Sequence, residues 1–82
     1  KPTFALKNAT VENISTVGAE SKHLRLLINK DGVKVSCIGF SMGECANEIK
    51  TGDLIHLAFK LDINTYQGNE SVQLLLNDVK KA

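Results

Sequence analysis

The sequence contains no tryptophan, one proline, three phenylalanines and one tyrosine among its 82 residues. An aromatic content of 5% leaves few side chains for base stacking, and a net charge of +1 excludes a strongly basic nucleic-acid binder. No apolar run approaches the ~18 residues of a membrane-spanning helix, so we expect no membrane partner. The hydrophobic content of 43% is close to the globular average, which argues against a disordered tail. These limits predict one small domain over residues 1–82.

The chain also lacks an initiator methionine and a signal-type apolar stretch, since it starts at Lys1. We expect it to be a domain excised from a larger multidomain protein, cytoplasmic and monomeric. Its two cysteines, Cys37 and Cys45, have no CxxC spacing. With His23 and His56 they could in principle hold zinc, but the spacing matches no zinc pattern and favours two reduced, buried thiols.

Charge is distributed unevenly along the chain. Residues 44–53 carry three carboxylates against Lys50. Residues 22–34 carry one carboxylate, Asp31, against four basic side chains, namely Lys22, Arg25, Lys30 and Lys34. The sequence therefore predicts a basic section and an acidic section, and the fold decides whether each forms a face.

Apolar residues that alternate with period two predict a mainly β domain. The predicted strands are residues 4–17, 24–28, 33–40, 55–63 and 72–79. The alternation of the first strand slips once, which indicates a bulge, and Asp31-Gly32 predicts a tight turn between the second and third strands. Five apolar residues alternate from Ile55 to Ile63, so we expect all five on one buried face.

One short helix is predicted between the third and fourth strands. Ser41 and Glu44 have the spacing of a capping box, and Gly52 would end the helix in a left-handed conformation. Apolar residues follow at helical spacing, namely Met42, Cys45, Ala46 and Ile49. Five strands with a helix between the third and fourth is the order of the all-β OB-fold barrel. A generic five-stranded α+β sheet is the alternative.

Nearly the whole chain, most sharply residues 38–79, resembles a known family. Residues 38–44 read IGFSMGE and residues 50–53 read KTGD, similar to the strand, helix and turn of the C-terminal OB domain of RecJ-type exonucleases. Residues 61–74, LDINTYQGNESVQL, and the closing LNDV of residues 76–79 are similar to its fourth strand, loop and fifth strand. The family often has a second glycine where Ser41 stands, and an acidic residue with Trp or Tyr where this chain has Thr65 and Tyr66.

The resemblance implies a parent enzyme that degrades single-stranded DNA from the 5′ end in DNA repair and recombination. It also implies manganese or magnesium held by Asp and His residues of the parent's DHH catalytic core. Because this chain has no Asp-His-His run and its carboxylates are dispersed, we expect no enzyme activity, metal or cofactor in the isolated domain. It would be an accessory single-stranded DNA-binding domain that guides the strand to that core. The alternative is a protein-interaction or packing module, because fold alone does not fix function.

The usual ligand face of an OB fold consists of strands two and three with the flanking loops. Single-strand binders combine a cationic groove with stacking aromatics. The predicted nucleic-acid-binding residues are therefore Lys22, His23, Arg25, Lys34, Tyr66 and Gln67. Arg25 suits both phosphate and base stacking, and Tyr66 is the only aromatic residue in a predicted loop. The alternative for each is an ordinary solvated or locally packed side chain, while Phe4, Phe40 and Phe59 are predicted to pack in the core or at its edge.

Overall fold

The computed structural model describes residues 2–82 and contains five strands and two short 3-10 turns. The strands are β1 (Phe4–Val17), β2 (His23–Lys30), β3 (Val33–Gly39), β4 (Leu54–Tyr66) and β5 (Asn69–Lys81). They close into a barrel in the order β1-β2-β3-β5-β4. The β3–β5 pair is parallel and joins residues 36–38 to residues 73–75, whereas the other pairs are antiparallel. The predicted five-stranded barrel is confirmed, and the generic α+β sheet is wrong.

β1 pairs with two strands, β4 and β2, because it bends twice. Its first part pairs with β4, from Phe4 opposite Phe59, and its second part pairs with β2 as far as Val17 opposite His23. The register shifts between residues 6 and 9 and again between residues 11 and 13. An extra residue bends a strand, so the two irregularities let one strand leave β4 and join β2. The sequence pattern indicated only one of them.

Two tight turns join the antiparallel hairpins. Asp31 and Gly32 have φ values of 53° and 87°, and Gln67 and Gly68 have φ values of 49° and 80°. Two consecutive left-handed residues are typical of a type I′ turn, whose twist matches that of the flanking strands. The turn predicted at Asp31-Gly32 is confirmed.

The core is apolar, and no buried side chain within residues 2–82 is polar or charged. Its buried residues are Ala9, Val11, Leu24, Leu26, Ile28, Cys37, Ile49, Ile55, Leu57, Phe59, Leu74 and Leu76. Burial raises the pKa of the Cys37 thiol to about 12. Both cysteines are free thiols, but Cys45 is only half-buried. Desolvation, followed by the charges of Glu48, Asp78 and Glu44, raises the pKa of Cys45.

The predicted helix is wrong in its type and in its cap. The segment after β3 contains a five-residue 3-10 turn, Gly43–Asn47, and no side chain caps it. Ser41 adopts a left-handed conformation with φ of 60°, and its backbone N–H donates to His23 Nδ1 at 2.9 Å. The capping box therefore does not form. Gly52 is left-handed as predicted, with φ of 95°, but it lies in the turn before β4 rather than at the end of a helix.

Gly43 holds the start of this segment against the rest of the domain. Its N–H donates to the carbonyl oxygen of Lys22 at 2.9 Å, and a Cβ built on Gly43 would lie 1.9 Å from the carbonyl oxygen of Ser21. The 3-10 turn therefore begins in direct backbone contact with the β1–β2 connection. The apolar spacing nevertheless places Met42, Cys45, Ala46 and Ile49 on the core.

β4 and β5 continue beyond the barrel as a hairpin, and we call residues 61–72 the hairpin arm. The pairing of β1 with β4 reaches only to Phe59, and β3 joins β5 from Gln73, so β4 and β5 pair with no third strand along the arm. Ile63 is 59% exposed and Leu61 is 39% exposed. The prediction that both would be buried in line with Ile55 is wrong, because the strand extends farther than the barrel that would cover it.

The three phenylalanines have different environments. Phe59 is buried as predicted, and Phe4 stacks on it with a ring-centroid distance of 6.0 Å. Phe40 is 62% exposed, so the prediction of core or edge packing is wrong for this residue. Within residues 2–82, no helix has the length and apolar character needed to cross a membrane.

Candidate nucleic-acid interface

The outer surface of β1, β2 and β3 holds the central part of the predicted site. Since Leu24, Leu26 and Ile28 face the core, the alternate residues of β2 face outward. Arg25 lies on this surface, opposite Ser15 of β1 on one side and Ile38 of β3 on the other. A shallow groove of about 190 Å³ runs here, lined by Asn13, Ser15, Arg25, Leu26, Leu27 and Ser36. We call this surface of the three strands the outer face.

Arg25 is exposed and makes no ion pair with any carboxylate within residues 2–82. Its planar guanidinium is therefore free to donate to a phosphate or to stack on a base. The polar side chains of Ser15 and Ser36 beside it supply additional hydrogen-bonding groups without competing charge.

Phe40 and His23 form an aromatic pair at one end of the outer face. Their rings meet edge to face, with centroids 5.3 Å apart and an interplanar angle of 78°. His23 Nδ1 accepts the Ser41 N–H at 2.9 Å, so the neutral ring carries its hydrogen on Nε2, which is left to donate to a ligand. The Phe40 ring stays mostly exposed, as a stacking platform requires.

Sequence reasoning missed Phe40 although a signal was present. The period-two pattern that turns Lys34 outward places residues 36 and 38 on the same side of β3, and it reaches Phe40 directly after the strand ends at Gly39. Ile38 on this side is buried, whereas Ser36 and Phe40 are exposed. The prediction instead treated Phe40 as apolar and therefore internal. The informative feature was an aromatic residue in phase with the outward positions of the third strand.

The lysines of the basic section are largely engaged within the domain. Lys34 Nζ lies 4.0 Å from Glu12 Oε1, and Glu12 Oε2 accepts a hydrogen bond from Asn29 Nδ2 at 3.2 Å. Lys30 Nζ donates to the backbone carbonyl oxygens of Lys7 at 2.7 Å and Asn8 at 3.3 Å. An exposed ion pair of this length is weak, but it still lowers the net charge that Lys34 offers to a phosphate. Arg25 and the exposed Lys22 are the cations that remain.

Tyr66 and Gln67 belong to a different part of the molecule, the tip of the hairpin arm. Tyr66 is 73% exposed, and Gln67 is the first left-handed residue of the turn. The structure thus brings His23 and Arg25 onto one face with Phe40, and it places Tyr66 and Gln67 on a separate projection.

The histidines and cysteines do not converge. His56 Nδ1 accepts the Asn8 N–H at 3.1 Å, and Cys37 lies inside the barrel. Among the residues that the structure describes, no group of three or more His, Cys, Asp or Glu side chains could hold a metal ion.

The sequence profile of the RecJ OB domain matches residues 1–78. The chain belongs to the RecJ OB domain family. The single-stranded-DNA-specific exonuclease RecJ of Bacillus subtilis (strain 168) is 28% identical over 78 residues, which are 95% of this chain and 10% of that protein. The resemblance seen in the sequence is confirmed, and the chain spans about a tenth of the length of this relative.

Solved structures share the fold of this chain. The SSB domain of a Synechococcus protein has a TM-score of 0.72 at 15% identity, covering 95% of this chain and 92% of that one. A putative aspartyl-tRNA synthetase from Leishmania major Friedlin has a TM-score of 0.76 at 11% identity, covering 96% and 17%. A Replication Protein A heterotrimer bound to ssDNA has a TM-score of 0.61 at 18% identity, covering 98% and 55%. Identities this low establish the OB fold alone.

Proposed function

We propose that this chain is the accessory single-stranded DNA-binding domain of a RecJ-type 5′→3′ exonuclease that acts in DNA repair and recombination. Family membership and the relative named as a single-stranded-DNA-specific exonuclease support this proposal. Two structural neighbours, named as an SSB domain and as Replication Protein A bound to ssDNA, are consistent with it. The domain holds the strand, and hydrolysis with manganese or magnesium belongs to the parent's catalytic core.

The observation that carries the proposal is the outer face, where an unpaired Arg25 shares a surface with the exposed ring of Phe40. A single strand offers phosphates on one side and base faces on the other, so a cation beside an aromatic platform engages both. His23 supports the platform through its edge-to-face contact with Phe40. The polar groove around Arg25 provides donors and acceptors for the sugar and the base edges.

The affinity of the isolated domain should be low and dependent on salt. With Lys22 and Arg25 as the free cations, the slope of log affinity against log salt for a single strand is expected near −1.4, at about −0.7 per phosphate. A labelled oligothymidylate of about 15 nucleotides, titrated at three salt concentrations, measures this slope.

Four variants distinguish the roles of the residues in that titration. Arg25→Ala should flatten the slope by about 0.7, while Phe40→Ala should weaken binding by about 1–3 kcal/mol at an unchanged slope. Tyr66→Ala tests whether the tip of the hairpin arm also contacts the DNA strand. Lys50→Ala, an exposed lysine just before β4, is the matched control and should change nothing. Absence of binding at low salt, or equal losses from Lys50→Ala and Arg25→Ala, would contradict the proposal.

A further inference from the structure

Several exposed apolar side chains continue the inward-facing rows of their strands past the point where the barrel closes. Their exposed fractions range from 39% to 62%. They are Phe4, Val33, Leu61, Ile63 and Val72. We call this set the apolar end. Contiguous exposed apolar surface on a small domain marks an interaction site.

The strand pairing places these residues at the same end of the barrel. Phe4 lies opposite Phe59 at the start of β1, where the arm leaves the barrel. Ile63 lies opposite Val72 on the arm itself. Val33 begins β3, which runs parallel to β5, so Val33 and the start of β5 point to the same end.

The opposite end of the barrel is covered by the chain itself. The segment after β3 packs its apolar side chains onto the core there, and Ile49 is only 6% exposed. The side chains that pack around it are Met42, Cys45 and Ala46. This domain therefore supplies a cover for one end of its barrel, whereas the apolar end has no such cover within residues 2–82.

The chemistry of the apolar end does not suit a nucleic acid. The inward-facing row of the arm contains Leu61, Ile63 and Thr65 on β4 and Glu70 and Val72 on β5. This row holds one carboxylate and no cation. Lys30, which lies opposite Val33 at the end of β2, already donates to the backbone carbonyl oxygens of Lys7 and Asn8. Phosphate binding requires cations that are free to contact the phosphate. An apolar protein surface is the complementary partner.

We propose that the apolar end docks on the remainder of the parent polypeptide, the part that carries the catalytic core. The proposal rests on the function proposed above, since it requires a RecJ-type parent. This chain covers 10% of the B. subtilis RecJ protein, so most of such a protein lies outside the domain and is available as a cover. Interfaces between domains of one chain bury about 600–1,500 Å², which a rim of five large apolar side chains can nucleate.

Docking through this end leaves the outer face open. Strand side chains alternate between two faces, so the inward-facing row of the arm and the outward-facing row with Arg25 and Phe40 are separate surfaces. One domain can thus pack on its parent and hold a DNA strand at the same time. DNA binding and protein packing, the two functions suggested by the sequence, then belong to different surfaces of one barrel.

Thiol labelling tests the docking in the intact parent protein. Ile63→Cys and, separately, Leu54→Cys are prepared in the 82-residue chain and in the full-length parent, and the rate of maleimide modification at each position is followed by peptide mass spectrometry. Leu54 is the matched control, because it is 49% exposed at the other end of the same strand. Docking predicts that Cys at position 63 reacts about tenfold or more slowly in the parent than in the isolated chain. Cys at position 54 should react at similar rates in both.

Equal rates at position 63 in the two contexts would overturn the proposal. Two further measurements on the isolated chain identify other occupants. Protection of position 63 by saturating oligonucleotide would assign the surface to DNA, and concentration-dependent protection with dimer in ultracentrifugation would assign it to a second copy; either result also overturns docking on the parent. The oligonucleotide affinity of the isolated Ile63→Cys chain should equal that of wild type, so failure of docking is distinguishable from failure of DNA binding.

Discussion

The two ends of this barrel differ in how the core is covered. At one end Gly43 brings the segment after β3 into backbone contact with the β1–β2 connection, and Ile49 seals the core. At the apolar end the strands continue beyond the barrel. Ile63 lies on the inward-facing side of β4 there, but its side chain is 59% exposed. Ile55 and Ile63 lie on the same face of β4, yet Ile55 is core and Ile63 is surface. Burial is decided by which backbone lies above a residue as well as by its own periodicity.

The largest expected effect compares two isoleucines. Ile49→Ala removes a buried side chain at the closed end and should lower the free energy of unfolding by about 2–5 kcal/mol. Ile63→Ala on the hairpin arm should change it by less than about 0.5 kcal/mol, since the side chain is largely exposed. Denaturant midpoints of the two variants measure the difference. Equal losses would mean that the two ends are packed alike.

The next effect concerns the contact that holds the closed end together. Gly43→Ala would drive a methyl group into the Ser21 carbonyl oxygen, and the overpacking should cost about 3 kcal/mol. Gly32→Asn is the glycine control, because its site has open space and asparagine tolerates a left-handed conformation. The control should lose less than about 1 kcal/mol in the same denaturation assay. A small loss of stability in Gly43→Ala would show that the backbone contact at the closed end is loosely packed.

The thiol of Cys37 reports whether water reaches the inside of the barrel. It pairs across β3 and β5 with Leu74, which lies opposite Leu61 at the base of the arm. Its pKa of about 12 in the folded chain exceeds the ordinary value of 9.0. The folded state therefore keeps a proton that the unfolded state loses, and stability falls as the pH rises from about 9 towards 12. By pH 10 this loss should reach about 1.4 kcal/mol.

Cys37→Val is the control for that alkaline loss. The variant lacks the titrating group, so its stability should depend less on pH between 8 and about 10 than that of wild type. Urea denaturation at several pH values measures both chains. Parallel pH profiles would indicate that the Cys37 thiol is hydrated in the folded barrel.

The smallest effects are expected at Ser41, at the start of the closing segment. Ser41→Ala should change stability by less than about 0.5 kcal/mol, because the hydroxyl caps no helix and the N–H that reaches His23 is retained. Ser41→Gly should raise stability by about 0.5 kcal/mol, since glycine adopts a φ of 60° without the cost that serine incurs. A loss of stability above about 1 kcal/mol in Ser41→Ala would indicate that the Ser41 hydroxyl does cap the turn.

Local patterns predicted the parts of this fold that local forces determine. The alternation of Leu24, Leu26 and Ile28 gave a strand with its correct buried face, and Asp31-Gly32 gave the correct turn, because both depend on neighbouring residues only. The capping box at Ser41 does not form, because the left-handed backbone of Ser41 donates its N–H to His23, a residue distant in the chain.

The candidate site likewise has residues whose positions local patterns predict and residues whose positions they do not. The outward position of Arg25 follows from strand periodicity and is visible in the sequence. The engagement of Lys34 by Glu12 and the contact of Phe40 with His23 join residues that are distant in the chain. The two-residue turn at Asp31-Gly32 fixes the register of β2 and β3, so the position of Phe40 beside His23 could have been inferred from the sequence. The register of β1 against β2, which brings Glu12 to Lys34, contains a bulge that the sequence spacing does not locate.

The parallel pairing of β3 and β5 has a consequence for how the barrel assembles. The β2–β3 and β4–β5 hairpins each form across a two-residue turn, but the seam between residues 36–38 and residues 73–75 closes a loop of more than thirty residues through a short run of paired positions. Loop closure of this kind costs entropy before its contacts repay it, so the two hairpins should form before the seam. The β1–β4 pair joins residues that are still farther apart in the chain, so it should also form after the hairpins.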